Sequence, residues 1–156
     1  MKLKVSTHYA IQMLCFMNEY GRTVTVSEME RALGTVSGNY MRKLLFQMMQ
    51  CRLVTSELGR DGGYRLARKA DSISIYDIVM AIEGELVLSQ CLCGECLFGD
   101  NLTDHCPARV LIRDLQDTIV TRLKETNISD LCANNQDFRM GLQDFLHQSK
   151  AQSIRS

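Results

Sequence analysis

Residues 25–67 read TVSEMERALGTVSGNYMRKLLFQMMQCRLVTSELGRDGGYRLA. Thr25-Val26-Ser27-Glu28 has the form of a capping box, in which side chain and backbone of the first and fourth residues satisfy one another. Val26, Met29 and Leu33 then give a short apolar face, and Gly34 ends the turn. Ser37 is placed to cap a second short helix, with Met41, Leu44, Leu45 and Met48 inward and Asn39, Arg42, Lys43 and Gln47 outward. Two short helices joined by a tight turn, the second with a polar and basic outer face, form a helix-turn-helix pattern. Leu53 to Leu58 is strand-like, residues 59–63 (GRDGG) form a turn, and Tyr64 to Ala67 reads as a return strand. A glycine-rich basic hairpin directly after a helix-turn-helix predicts the wing of a winged helix.

Such an arrangement predicts that the second helix enters the major groove of a nucleic acid duplex. Ser37, Asn39, Tyr40, Arg42 and Lys43 are the candidate contacts there, and Arg60, Gly62 and Gly63 those of the wing. Glycines without side chains let a hairpin tip lie against a phosphate backbone. Each piece also has an ordinary explanation. The Met and Leu stripe is core, Arg42 and Lys43 alone would suit a solvated face, and a double-glycine hairpin is common. Their order within about fifty residues is what favours nucleic-acid binding.

Before this stretch, Ala10, Met13, Leu14 and Met17 recur at helical spacing, with Ser6 as the expected cap and Gly21 as the stop. Ser74-Ile75-Tyr76-Asp77 has the capping-box form again, followed by Ile78, Val79 and Ile82 and closed by Gly84. From Pro107 onward, Ala108, Ile112, Leu115, Ile119 and Leu123 recur at spacings of four, three, four and four. So narrow a stripe on a long helix suits a partner helix, and two-fold symmetric DNA sites are read by symmetric proteins, so a homodimer is expected. Packing on the chain's own domain is the competing explanation. Ile128 to Cys132 suits one more short turn. The polar end is expected to be weakly ordered, with Met140, Leu142, Phe145 and Leu146 able to form a marginal helix.

The expected organisation is therefore mainly α with a small β-hairpin: a winged helix-turn-helix domain over 1–84, a cysteine-rich loop over 85–106, a dimerisation helix and following turn over 107–132, and a tail over 133–156. At 156 residues, 46% hydrophobic and 23% charged, the chain is globular in composition. It has no apolar run of transmembrane length and no leader-like N-terminus, so it is expected in the cytoplasm. Its 18 basic and 18 acidic side chains sum to zero. That zero conceals an asymmetry, for residues 1–70 hold 11 basic against 5 acidic groups, or +6, and the remainder 7 against 13, or −6. A basic front half suits a polyanion partner. No paired nucleophile and base, phosphate loop or cofactor fingerprint supports an enzyme.

Of the seven cysteines, four fall in residues 91–106 (CLCGECLFGDNLTDHC). Thiolates are soft ligands for zinc or iron-sulfur clusters, and a glycine-containing loop can wrap them around a metal. Zinc sites favour paired Cys-x2-Cys knuckles, and only Cys93 and Cys96 make one here. Spacing alone leaves an iron-sulfur cluster, zinc, and thiol redox chemistry open. Cys15 and Cys51 are expected to be structural; Cys132 is unassigned.

Together these pieces resemble one family along nearly the whole chain to about Gln136, the winged-helix regulators that include the iron-sulfur cluster regulator IscR and the nitric-oxide-sensing repressor NsrR. The matching residues are Met1-Lys2-Leu3 with Tyr9-Ala10, Asp61-Gly62-Gly63-Tyr64-Arg65-Leu66, Ile75-Tyr76-Asp77-Ile78-Val79, the cysteine loop, and Ile128-Ser129-Asp130-Leu131. The resemblance implies a homodimer on palindromic promoter DNA, with a [2Fe-2S] or [4Fe-4S] cluster held by Cys91, Cys96 and Cys106. Cys93 is an addition to the family pattern. Where the IscR-like branch has a ligating histidine this chain has Arg109, and where the nitric-oxide branch has a carboxylate reaching across the dimer it has His8, the implied fourth ligand. In the wing, Leu58 stands where many members have arginine, with Arg60 after the glycine.

Overall fold

The computed structural model describes residues 3–34, 36–59, 62–93, 106–135, 137 and 140–141. Among these residues, six helices and one two-stranded antiparallel sheet follow in the order α1 (Val5–Tyr20), α2 (Val26–Leu33), α3 (Gly38–Gln50), β1 (Val54–Glu57), β2 (Gly63–Leu66), α4 (Ile75–Glu83), α5 (Pro107–Glu125) and α6 (Ile128–Ala133). Short 3-10 turns occupy Ala70–Ser72 and Gln90–Leu92. The mainly helical winged-helix architecture expected from residues 25–67 is what the chain adopts. Both capping boxes form, at Thr25/Glu28 and at Ser74/Asp77, and a third forms at Asn127/Asp130.

One core joins these elements. Met13, Leu14 and Phe16 of α1, Met29 of α2, Met41, Leu44, Leu45 and Met48 of α3, and Ile78 of α4 are almost wholly buried together, and Ile128 and Cys132 of α6 belong to the same cluster. Cys15 is buried beside Cys132; a hydrogen bond with that thiol and then desolvation push its titration far above the usual thiol range. Both are core residues, as expected of Cys15, and a buried neutral thiol is a poor nucleophile.

Helix starts differ from expectation at two places. Ser6 does not cap α1; the helix begins two residues earlier, at Val5 after Lys4. The Lys4 amide donates to Glu83 Oε1 at 2.8 Å and the buried Thr7 hydroxyl donates to the same oxygen at 2.5 Å, so a carboxylate at the end of α4 replaces a local cap. Ser37 precedes α3 in the N-cap position without a side-chain capping bond, and the Gly38 amide donates to Glu30 of α2 instead. A Cβ on Gly38 would meet that carboxylate at 2.8 Å. In each case a carboxylate from another helix satisfies the orphaned donor and ties two elements together.

Helix α5 is attached at its C-terminal end. Ile75 N–H donates to Thr126 O at 2.8 Å and Ile128 N–H to Ile73 O at 3.0 Å, an isolated antiparallel bridge between the start of α4 and the α5–α6 junction. Ile119, Val120 and Leu123 pack on the core, and the Lys124 ammonium lies 4.8 Å from the centre of the Tyr76 ring. Toward the other end Val110, Leu111 and Leu115 are exposed, and no residue of the 19-residue helix is fully buried in the single chain. The expected stripe is thus divided: Ile119 and Leu123 pack on the chain's own core, Ile112 is half-buried, Ala108 and Leu115 are exposed, and Val110 and Leu111 beside the stripe are exposed with them. Most of the tail, including Leu142, Phe145 and Leu146, lies outside the described residues. Among the described residues no helix is long and apolar enough to cross a membrane.

Candidate nucleic-acid interface and cysteine loop

Helix α3 buries Met41, Leu44, Leu45 and Met48 and turns Asn39, Arg42, Lys43 and Phe46 outward. Arg42 Nη1 donates to Asn39 Oδ1 at 3.1 Å, which holds the guanidinium along the helix face. Ser37, at the entry to α3, is exposed. Tyr40 is only partly open, since its ring packs edge-on against Tyr9 of α1 at 6.3 Å between centroids. Phe46, 60% exposed on the same outer face, is a contact candidate that the polar pattern of the sequence did not single out. Its position three and four residues after Lys43 and Arg42 was the available signal.

In the wing, Val54 pairs with Leu66, Thr55 with Arg65, Ser56 with Tyr64 and Glu57 with Gly63. Val24, from the α1–α2 connection, adds a third edge by exchanging 2.8 Å hydrogen bonds with Tyr64. Both candidate wing glycines have intramolecular reasons to lack a side chain. A Cβ on Gly63 would stand 2.5 Å from Val24 O, and one on Gly62 2.5 Å from Glu57 O. The hairpin is fixed from inside before any ligand meets it. Leu58 is fully exposed near its tip, and Arg60 lies outside the described residues.

Arginines beside the wing form a surface that the sequence did not single out. Arg52, Arg65 and Arg68 line a cleft with Met49 and Thr55, between the end of α3 and the hairpin. Arg52 has φ +55°, in the left-handed region where glycine usually ends a helix, and Leu53 N–H returns to Met48 O at 2.9 Å around it. Arg65 pairs with Glu57, whose carboxyl is held below its usual range by Arg65 and by the Thr23 hydroxyl. Arg68 pairs with Asp77 at 2.8 Å. Arg22, Tyr20 and Thr25 converge on Glu28. Desolvation opposes ionisation of Glu28, but hydrogen bonds from the Thr25 backbone and hydroxyl, Tyr20 and Arg22 outweigh it and hold its carboxyl below the usual range.

The cysteine loop begins in the 3-10 turn Gln90–Leu92, which packs on α5, and Leu88 N–H donates to Gln116 Oε1 of that helix at 3.0 Å. Cys91 and Cys106 are half-buried and Cys93 is exposed. Cys106 sits at the N-cap of α5, just before Pro107. Cys96 lies outside the described residues, and His8 stands exposed on the first turns of α1. Among the described residues no group of three or more His, Cys, Asp or Glu comes together, and none of the described cysteines forms a disulfide.

Comparison with known proteins agrees with this geometry. A family model named Rrf2, described as an iron-dependent transcriptional regulator, matches residues 3–134. The chain is 31% identical over 148 residues to Protein aau3 of Rhizobium meliloti, covering 92% of this chain and 94% of that protein. Among solved structures it superposes on CymR, the global cysteine regulator of B. subtilis, with TM-score 0.70 at 21% identity, over 85% of this chain and 97% of that one. It superposes on T. potens IscR with TM-score 0.67 at 20% identity, over 86% and 88%. The structural likenesses establish the winged-helix fold, and the family match, spanning everything from α1 to α6, extends the agreement to the sequence: the chain belongs to the Rrf2 family of transcriptional regulators and is not an enzyme.

Proposed function

We propose that the protein is a homodimer that binds palindromic promoter DNA and whose affinity is set by an iron-sulfur cluster held by Cys91, Cys96 and Cys106, with His8 as fourth ligand. Members of the Rrf2 family bind DNA and typically act as dimers. The observation that carries the dimer is α5, a 19-residue helix that buries no residue fully in its own chain while exposing Val110, Leu111 and Leu115. Covering that surface with a second copy places two α3 helices to read two half-sites, through Ser37, Asn39, Tyr40, Arg42 and Lys43. Arg60, Gly62 and Gly63 bring each wing to the flanking backbone.

The donor chemistry suits a cluster. Cys91 and Cys106 are unbridged, half-buried thiols at the two ends of one loop, and Arg109 directs buried, unpartnered donors from the first turn of α5. A cluster bound there supplies redox-sensitive thiolate ligation. The protein's part is mechanical. Residues 94–105 link the Cys91 turn to α5, and among the described residues α5 is held to α4 and the core by its C-terminal half and by the Leu88–Gln116 hydrogen bond near its middle, which leaves its first turns unattached. How the cysteines are tied therefore sets the separation of the two α3 helices across the dimer, and half-sites one helical turn apart are read only at the matching separation.

A second reading is a cluster-free regulator acting through its thiols. The exposed Cys93 beside Cys91 favours it, as does the likeness to CymR, a cysteine regulator. Anaerobic purification followed by iron and acid-labile sulfide assays separates the two: stoichiometric iron and sulfide are expected, and a colourless chain with zinc or no metal would overturn the cluster. For the DNA interface, Arg42→Ala is expected to weaken promoter binding by roughly tenfold to a hundredfold without lowering the melting temperature. Unchanged affinity in fluorescence anisotropy at physiological salt would remove α3 from the interface.

A further inference from the structure

Arg109 is the third residue of α5 and lies three positions after Cys106. Its Nε and Nη1 atoms are buried, and neither has a hydrogen-bond partner among the described residues. A guanidinium stays charged at any ordinary pH, so buried donors of this kind need an acceptor. None is available along the helix. The first turn of α5 holds no acidic residue, the next carboxylate is Asp114, and one turn on from Arg109 stands Arg113.

A positive side chain in the first turn of a helix is opposed by the macrodipole, and Arg113 at i+4 adds like-charge repulsion. The arrangement is unfavourable unless an anion answers it. Helical side chains lean toward the N-terminus, which carries Arg109 over the turn that begins at Cys106. Cys106 makes no side-chain capping bond, and Pro107 has no N–H to offer. Among the described residues, the charged group in the turn that follows Cys106 is the Arg109 guanidinium.

We propose that Arg109 is a positioning residue for the cluster, donating hydrogen bonds to its sulfur acceptors and offsetting its negative charge. The proposal rests on the cluster reading above. By its charge Arg109 stabilises the reduced cluster relative to the oxidised one, and by its hydrogen bonds it slows cluster loss. It would thereby tune how readily the regulator changes state.

The test compares the full-length protein, purified anaerobically, with Arg109→Ala, Arg109→Lys and Arg109→Gln. Iron retained under chelator challenge and the reduction potential are read by visible spectroscopy, with circular dichroism as the folding control. Arg109→Ala is expected to lose iron roughly tenfold to a hundredfold faster and to shift the potential to more negative values, with Arg109→Lys between it and the parent. Should Arg109→Ala fail to fold, Arg109→Gln, which keeps bulk without charge, takes its place. A purely structural arginine would change the rate of loss but leave the potential unmoved, and that outcome, like parental behaviour in both readouts, overturns the proposal. If the parent protein itself binds no iron and sulfide, the cluster reading fails first and the role of Arg109 falls with it.

Discussion

The helices around the hairpin and the long helix α5 solve the same physical problem in opposite ways. In α1 to α4 every helix buries apolar side chains within the chain, and their starts are satisfied internally, by capping boxes at Thr25 and Ser74 and by Glu83 and Glu30 at α1 and α3. Helix α5 buries no side chain fully, begins without an acidic residue or a side-chain cap, and carries arginine donors with no acceptor. The first region is complete as one polypeptide. The second is left open in the single chain, and on the function proposed above a second copy covers its exposed apolar side chains and an anionic group answers its start. The charge asymmetry follows the same division in part, with +6 in residues 1–70, which hold the proposed DNA contacts.

The sharpest way to break this contrast is to damage each region by one change and ask what is lost. Phe16 is wholly buried at the centre of the shared core, so Phe16→Ala is expected to cost about 3–5 kcal/mol, read by chemical denaturation. A loss below about 1 kcal/mol would mean the core is not closed as described. On α5, Leu111→Glu with Leu115→Glu changes two exposed positions of the chain. The expected result is a folded monomer, with the dimer dissociation constant raised at least about a hundredfold and promoter affinity reduced with it, as in the loss of a central apolar cluster from an interface. Sedimentation that still showed a dimer would place the interface elsewhere.

A smaller effect sharpens the description of the self-contained region. Because the folded-state carboxyl of Glu28 titrates below its ordinary value, its contribution to stability is fully present above the unfolded-state value near 4.5 and is lost as pH falls through the lower folded value. Glu28→Gln is expected to cost about 1 kcal/mol at pH 7, the worth of a helix cap, with the deficit shrinking below pH of about 4. A deficit independent of pH in thermal melts would show that the charge of Glu28 contributes nothing.

Much of the fold was legible because its signals are local. Thr25/Glu28 and Ser74/Asp77 state helix starts in four residues, Gly21, Gly34 and Gly84 state ends in one, and the order of helix, turn, basic helix and hairpin states the architecture. The site was legible only as a set of residue types. Asn39, Arg42 and Lys43 face outward as their spacing required, whereas Tyr40 is half engaged with Tyr9, and Gly62 and Gly63 answer to Glu57 and Val24 inside the chain. Arg52 occupies a left-handed position that carries no sequence signature, because an arginine there is tolerated only by the surrounding hydrogen bonds.

Periodicity, capping and composition, each readable along a short span of chain, specify the list of elements, their inward faces, the basic front half and the presence of a cysteine loop. The tertiary structure alone decided which donors are satisfied and which are not. Glu83 and Glu30 reach their helix starts from 76 to 79 and 8 residues away, Ile119 and Leu123 of the long stripe are claimed by the core, and Arg109 is left with buried donors and no acceptor. Satisfaction of a polar group depends on distances across the fold, which no pattern along the sequence encodes.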